Sequence, residues 1–291
     1  MRDYIIMTDS CCDLSAAEAR EADVCVVSLS YIIDGKTYLN SLENPPMSSK
    51  AFFDLLREGE TCTTAAVNVG QFTDVMRPIL EQGRDIIYVA FSSALSTTYQ
   101  SACIAADDLK EDFPDAKIVV IDSLSASRGL GRLVYLAAQE KKNGKTIDEV
   151  ADFVRDYIPR QCHWFTVDDL NHLKRGGRVS ATTALVGTML SIKPVLHVDD
   201  EGRLISREKA RGMKAALGNL VDKVKELGVE PISSQTVFIC HADCPDSVEY
   251  VKKLLAEKYG ITDVRSDYIG PVIGAHTGAG TLGIFFEGSA R

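Results

Sequence analysis

The chain predicts an α/β protein: a three-layer N-terminal domain on a parallel sheet, followed by a mixed-sheet α/β C-terminal domain. Three observations predict it. Short apolar runs alternate with helical patterns up to about Ile158, the pattern of a parallel sheet covered on both faces. Beyond Pro159 strand patterns dominate, with two long helical patterns among them. The 291 residues also exceed what one core usually serves. The expected division is 1–158 and 159–291.

Tyr4–Thr8 opens the chain as a strand; acidic Asp3 precedes it and nothing there resembles a leader peptide. Val24–Ile33, Ile86–Phe91 and Lys117–Asp122 are the next expected strands. The helical patterns are Lys50–Arg57, Gly70–Gln82, Thr97–Glu111 and Leu130–Lys142. Thr146–Ile158 follows, with Thr146 as N-cap and Glu149 three residues on, a capping box. In the second half, Trp164–Val167, Ile192–Val198, Leu204–Arg207, Thr236–His241 and Leu282–Glu287 read as strands. Lys209–Leu227 and Pro245–Tyr259 read as helices, and Asp199-Asp200-Glu201-Gly202 as a hairpin turn.

Composition narrows the function. The net charge of −9 argues against nonspecific nucleic-acid binding, which needs a basic footprint. The longest apolar stretches are too short to span a bilayer, so a cytoplasmic protein is expected. The eight cysteines are scattered without a C-x-x-C pair and are expected to be reduced thiols, with Cys11-Cys12 exposed near a strand end. Gly278-Ala279-Gly280-Thr281-Leu282-Gly283 spells the dinucleotide fingerprint, but it leads into the strand pattern Ile284-Phe285-Phe286 instead of a helix. The dense glycines from 270 to 283 are expected to form either a tight turn or a backbone wall around a ligand.

Ligands of open α/β sheets bind beyond the carboxyl ends of the strands. There the sequence places Thr8-Asp9-Ser10, Ser92-Ser93-Ala94-Leu95-Ser96 and Asp122-Ser123-Leu124-Ser125, and the loop Thr61–Asn68 adds Thr63-Thr64. Small hydroxyls line this rim, and Ser96 is placed to cap a helix starting at Thr97. Hydroxyls beside a helix start suit a carboxylate or a phosphate.

These residues resemble a known family. Phe91-Ser-Ser-Ala-Leu-Ser-Thr-Thr-Tyr-Gln-Ser-Ala102, Asp122-Ser123, Val167-Asp-Asp-Leu with Leu173-Lys-Arg-Gly-Gly-Arg178, and Gly270-Pro-Val-Ile-Gly-Ala-His-Thr-Gly278 look like the DegV family, in order along essentially the whole chain. The family includes the fatty-acid-binding subunits of bacterial fatty acid kinase. The resemblance implies a long-chain fatty acid buried between two domains, its carboxylate held by Thr64, Ser93, Ser96 and His276. It also implies an ATP-dependent kinase subunit as partner and no cofactor. Transient membrane contact during ligand exchange is a further expectation. The sequence departs from the family pattern at Ala65-Ala66-Val67, Thr97 and Ala279.

Tunnel walls are expected from Phe52, Phe53, Leu56, Ile104, Leu185, Met189 and Leu190. Arg207 and Arg211, in a cationic run with Arg203, Lys209 and Lys214, are expected to dock the kinase. Two other classes stay open. One is a small-polar-metabolite binder related to the substrate domain of dihydroxyacetone kinases, centred on His276. The other is a serine hydrolase assembled from Ser93, His276 and Asp9 or Asp122. No G-x-S-x-G elbow supports the hydrolase, and no phosphate loop supports a kinase activity of the chain's own.

Overall fold

The computed structural model describes residues 2–179 and 192–291. In the first half the elements run β1 (Tyr4–Asp9), α1 (Ala16–Glu21), β2 (Val24–Val27), β3 (Ser30–Ile33), β4 (Lys36–Leu39), α2 (Ser49–Arg57), β5 (Cys62–Ala65), α3 (Val69–Glu81), β6 (Asp85–Ala90), α4 (Thr98–Asp112), β7 (Ile118–Asp122), α5 (Ser127–Lys142) and α6 (Ile147–Tyr157). Strands β2, β1, β6 and β7 form an all-parallel sheet in that order. Every residue of β6 is buried, so both faces of the sheet are covered. Helices α3 and α4 pack as one pair, α5 and α6 as another. The capping box of α6 forms as expected: Thr146 Oγ1 accepts from the Glu149 N–H, and the Glu149 carboxylate from the Thr146 N–H.

The second half runs β8 (Gln161–Thr166), α7 (Asn171–Arg175), β9 (Ile192–Val198), β10 (Leu204–Arg211), α8 (Met213–Leu227), β11 (Val237–His241), α9 (Pro245–Tyr259), β12 (Val264–Tyr268), α10 (Pro271–Thr277) and β13 (Leu282–Glu287). Its six strands form one mixed sheet in the order β10-β9-β8-β13-β11-β12, antiparallel except for β11 with β12. The expected α/β architecture, parallel sheet first and mixed sheet second, is the observed one.

Helix α5 joins the two sheets. It contacts β1 and β6 on one side and β8, β11 and β13 on the other, and its residues 127–134 are buried without a break. Two arginines on it would be costly there if unpaired. Arg128 reaches both carboxylate oxygens of Glu18, at 2.6 and 3.0 Å, and the Asp13 carbonyl. Arg132 donates to Tyr157 and Gln161. A second tie comes from the expected hairpin after β9: Ser92 Oγ, on the parallel-sheet rim, donates to the Gly202 carbonyl at 2.9 Å. Gly202 adopts φ +77, and a Cβ there would lie 2.3 Å from that same Oγ.

Several expectations are corrected. Val24–Ile33 is two strands, because Ser10 Oγ takes the Leu29 N–H and the Leu29 carbonyl takes that of Asn40, which breaks the ladder. After the break the chain enters a separate antiparallel sheet, β4-β3-β5, so Thr61–Asn68 is not all loop. Asp34-Gly35, both at positive φ, forms the β3–β4 turn. The pattern assigned to a helix from Lys209 is strand as far as Arg211; Gly212 at φ +81 makes the corner and α8 starts at Met213. Cys11 and Cys12 are fully buried. Strand β12 has no fully buried residue, which explains why no apolar run announced it.

Candidate functional site

Thr64 lies on β5 directly across from Tyr31 of β3. Threonine's branched Cβ favours the strand. Its hydroxyl stands 2.8 Å from His276 Nε2. His276 is the next-to-last residue of α10, a helix cut from the glycine-rich segment: Gly270 caps it, Pro271 occupies its first turn and Gly278 ends it at φ +77. The ring lies against Gly176, where a Cβ would come 2.2 Å from His276 Nδ1. Burial, with Arg178 nearby, lowers the His276 pKa to about 4, so the ring is neutral near pH 7.

Ser96 precedes α4 by two residues, and the helix begins at Thr98, not Thr97. Ser96 Oγ accepts the Thr98 N–H at 3.2 Å and pairs with the Thr98 hydroxyl at 2.8 Å. It therefore caps the helix from one residue further out than expected. Arg178, the last residue of the Leu173–Arg178 motif and not among the expected site residues, also belongs here. Its Nε donates to the Leu95 carbonyl at 3.3 Å and another guanidinium nitrogen to that of Gly176.

Thr64, Ser96, Arg178 and His276 all line one cavity of about 260 Å³. Its remaining walls are mainly apolar, among them Leu29, Phe91, Phe165, Val198, Val272 and Phe285. A second, open cavity of about 620 Å³ is bounded by Glu60, Asp169, His172 and Arg175. Thr64, Arg178 and His276 line both, so these three side chains form a wall between an apolar interior and a polar surface recess.

The other expected residues fall elsewhere. Ser93 is exposed and does not line the inner cavity; its N–H donates to Asp122 Oδ1 at 3.1 Å. Among the described residues no hydrogen bond links the Ser93 hydroxyl to His276 or His276 to an aspartate; His276 pairs with Thr64, and Asp9 is sealed beneath Tyr88 and the Phe91 N–H. Phe52 and Phe53 are core side chains packed beneath Gly274, Leu56 lines only the outer recess, and Ile104 is exposed. Leu185, Met189 and Leu190 lie outside the described residues. Arg207 and Arg211 are exposed on β10, an edge strand with a bulge between Ser206 and Glu208, and not on a helix start. Cationic side chains and a bulge also guard an edge strand against pairing with another chain.

The inner cavity, lined from both halves of the chain, thus ends at a wall of hydroxyl, imidazole and guanidinium groups. Comparison with known proteins agrees on the lineage. The model of the DegV family, described as an uncharacterised protein family, matches residues 4–289. A DegV domain-containing protein of Clostridium perfringens is 44% identical over 291 residues, covering 100% of this chain and 99% of that one. The chain belongs to the DegV family. Among solved structures, a Thermus thermophilus DegV family protein described as fatty acid binding superposes with a TM-score of 0.88 at 29% identity, covering 99% of this chain and 100% of its own. A stearic-acid-binding protein of Eubacterium ventriosum superposes at 0.84 with 25% identity, covering 98% of each. No helix among the described residues is long and apolar enough to cross a membrane.

Proposed function

We propose that the chain binds a long-chain fatty acid, with the acyl chain in the inner cavity and the carboxylate at Thr64, Ser96 and His276. The observation that carries this reading is the wall shared by the two cavities, because an amphiphile needs an apolar interior that ends at polar donors near solvent. With Nε2–H of neutral His276 donating to Thr64, the Thr64 hydroxyl is free to donate to a carboxylate. With the Thr98 hydroxyl donating to Ser96, the Ser96 proton is free in the same way. Arg178 turns two donors to backbone carbonyls, so it biases the field without closing a full ion pair. Burying about sixteen carbons at roughly 0.8 kcal/mol each offers on the order of 10 kcal/mol before ordering costs. The head group therefore needs mainly to orient the ligand. The solved relatives described as fatty-acid-binding support the assignment. Denaturing mass spectrometry of freshly purified protein is expected to release one fatty acid per chain; absence of any, with no uptake of added stearate, defeats the reading.

The finer role is presentation, not turnover: the carboxylate, reachable through the outer recess, is handed to an ATP-dependent kinase subunit for acyl-phosphate formation. The two lobes, 1–158 and 159–291, enclose the chain, and Arg207 and Arg211 steer the kinase. Among the described residues neither arginine forms a salt bridge, which leaves both charges available. Arg211→Glu is expected to slow acyl-phosphate formation in a reconstituted pair, less so at high salt. An unchanged rate in the Arg207→Glu, Arg211→Glu double variant removes this surface from the mechanism.

A further inference from the structure

The inner cavity carries polar groups well beyond the proposed carboxylate site. His163 lies three residues back along β8 from Thr166, whose end of the strand leads into α7 and Arg178; that is roughly 10 Å of strand. Its register partner is Phe285, and both side chains line the cavity. The ring is 0% exposed and meets Phe285 edge-on, with centroids 5.6 Å apart. Among the described residues neither ring nitrogen has a hydrogen-bond partner. Helix α5 yields to the ring at Gly129, where a Cβ would lie 2.3 Å from Nε2.

Ser127, at the start of the same helix, also lines the cavity. It is held at φ +52 facing Asp13, itself at φ +47. Its Oγ donates to Asp13 Oδ2 at 2.5 Å, and Asp13 Oδ1 accepts the Gly270 N–H at 2.9 Å. While Asp13 is ionised the Ser127 proton is committed to it, and the Ser127 oxygen remains an acceptor toward the cavity. Gly270 and His276 mark opposite ends of α10, about 9 Å apart at 1.5 Å per residue. The length of α10 therefore puts the Asp13–Ser127 end of this polar station past the first several carbons of a chain anchored at His276. Burial keeps His163 neutral, so its ring offers one donor and one acceptor. A plain alkyl chain satisfies neither, and leaving buried polar groups unpaired is unfavourable. A hydroxyl can donate to one group and accept from another.

We propose that the inner end of the cavity is a subsite for an oxygenated acyl chain, a long-chain fatty acid bearing a mid-chain hydroxyl that meets His163 and Ser127. This rests on the fatty-acid reading and adds a second point of selection to it. The test is competitive binding of stearate, 10-hydroxystearate and 12-hydroxystearate to the full chain after removal of endogenous lipid. At least one hydroxystearate is expected to bind fivefold or more tighter than stearate. His163→Phe, which keeps a ring against Phe285, and Ser127→Ala are each expected to bring that ratio to one or below. Should His163→Phe fail to fold, Ser127→Ala alone decides. Equal or weaker binding of both hydroxystearates by the unaltered chain overturns the subsite, as does a preference that survives the substitutions. Failure of all three ligands to bind sinks the fatty-acid reading itself, a separate result.

Discussion

His276 and His163 line the same cavity, and each rests on a glycine that a Cβ could not replace without a clash. Burial depresses both pKa values. They differ in partner and place. His276 is half-buried at the wall to the outer recess, bonded to Thr64; His163 is sealed in the sheet's inner face with no hydrogen-bond partner among the described residues. Desolvation alone therefore does not identify a ligand-binding histidine. What distinguishes the two is which other groups converge on each ring, and whether solvent can reach them.

The sharpest way to break the comparison is to fill the two glycine notches. At Gly129 the new methyl meets Nε2 of His163 and, at 2.8 Å, the Phe285 ring, both held between α5 and the β8–β13 pair. Gly129→Ala is expected to lower unfolding free energy by about 2–3 kcal/mol in denaturant titration, the size of an overpacked core. A loss under about 1 kcal/mol would mean that this wall yields as easily as the mouth.

Acid should act on both histidines in the same direction. The ordinary histidine pKa is near 6.5; His276 and His197 are lowered to about 4, and burial also holds His163 well below its ordinary value. Between pH 6.5 and 4 the folded chain binds fewer protons than the unfolded one, so stability is expected to fall as pH drops through that window. Asp13 opposes this: burial pushes it up to about 7, so its carboxylate is unfavourable above that pH and the burden is relieved on acidification toward 3.8. His276→Gln should flatten the acid limb of a stability–pH curve. An unaltered limb would assign the whole loss to the sealed histidines.

At the mouth the matching substitution is Gly176→Ala. Gly176 has no positive φ, so the helix end tolerates alanine, but the methyl displaces His276 from Thr64. Stearate affinity is expected to fall about tenfold, or ~1.4 kcal/mol, with stability nearly unchanged. Titration calorimetry showing full affinity would remove the Thr64–His276 pair from head-group binding. The smallest expected effect is Ser96→Ala, about 1 kcal/mol of binding, the net worth of one hydrogen bond. Unchanged binding would leave Ser96 as a helix cap only.

The strand–helix alternation, the change of texture near Pro159, the hydroxyl-rich strand end with Ser96 and the hydroxyl pair Thr63-Thr64 were legible in the sequence. Those features are local: they follow from periodicity, capping and turn chemistry within a few residues. The sequence also showed that the Gly278–Gly283 run leads into a strand. The rest depends on how the elements pack. Ser93 and Ser96 stand three residues apart in one hydroxyl-rich loop, yet one is exposed and the other lines the cavity, because the turn after β6 points them to different sides. Phe52 and Phe53 had the composition of a ligand wall but pack into the core, while His163, Phe165 and Phe285 form the wall through antiparallel register between β8 and β13. Arg178 and His276, about a hundred residues apart, meet because α7 and α10 pack together. Burial and register are properties of pairs of elements, and a single strand or helix pattern does not carry them.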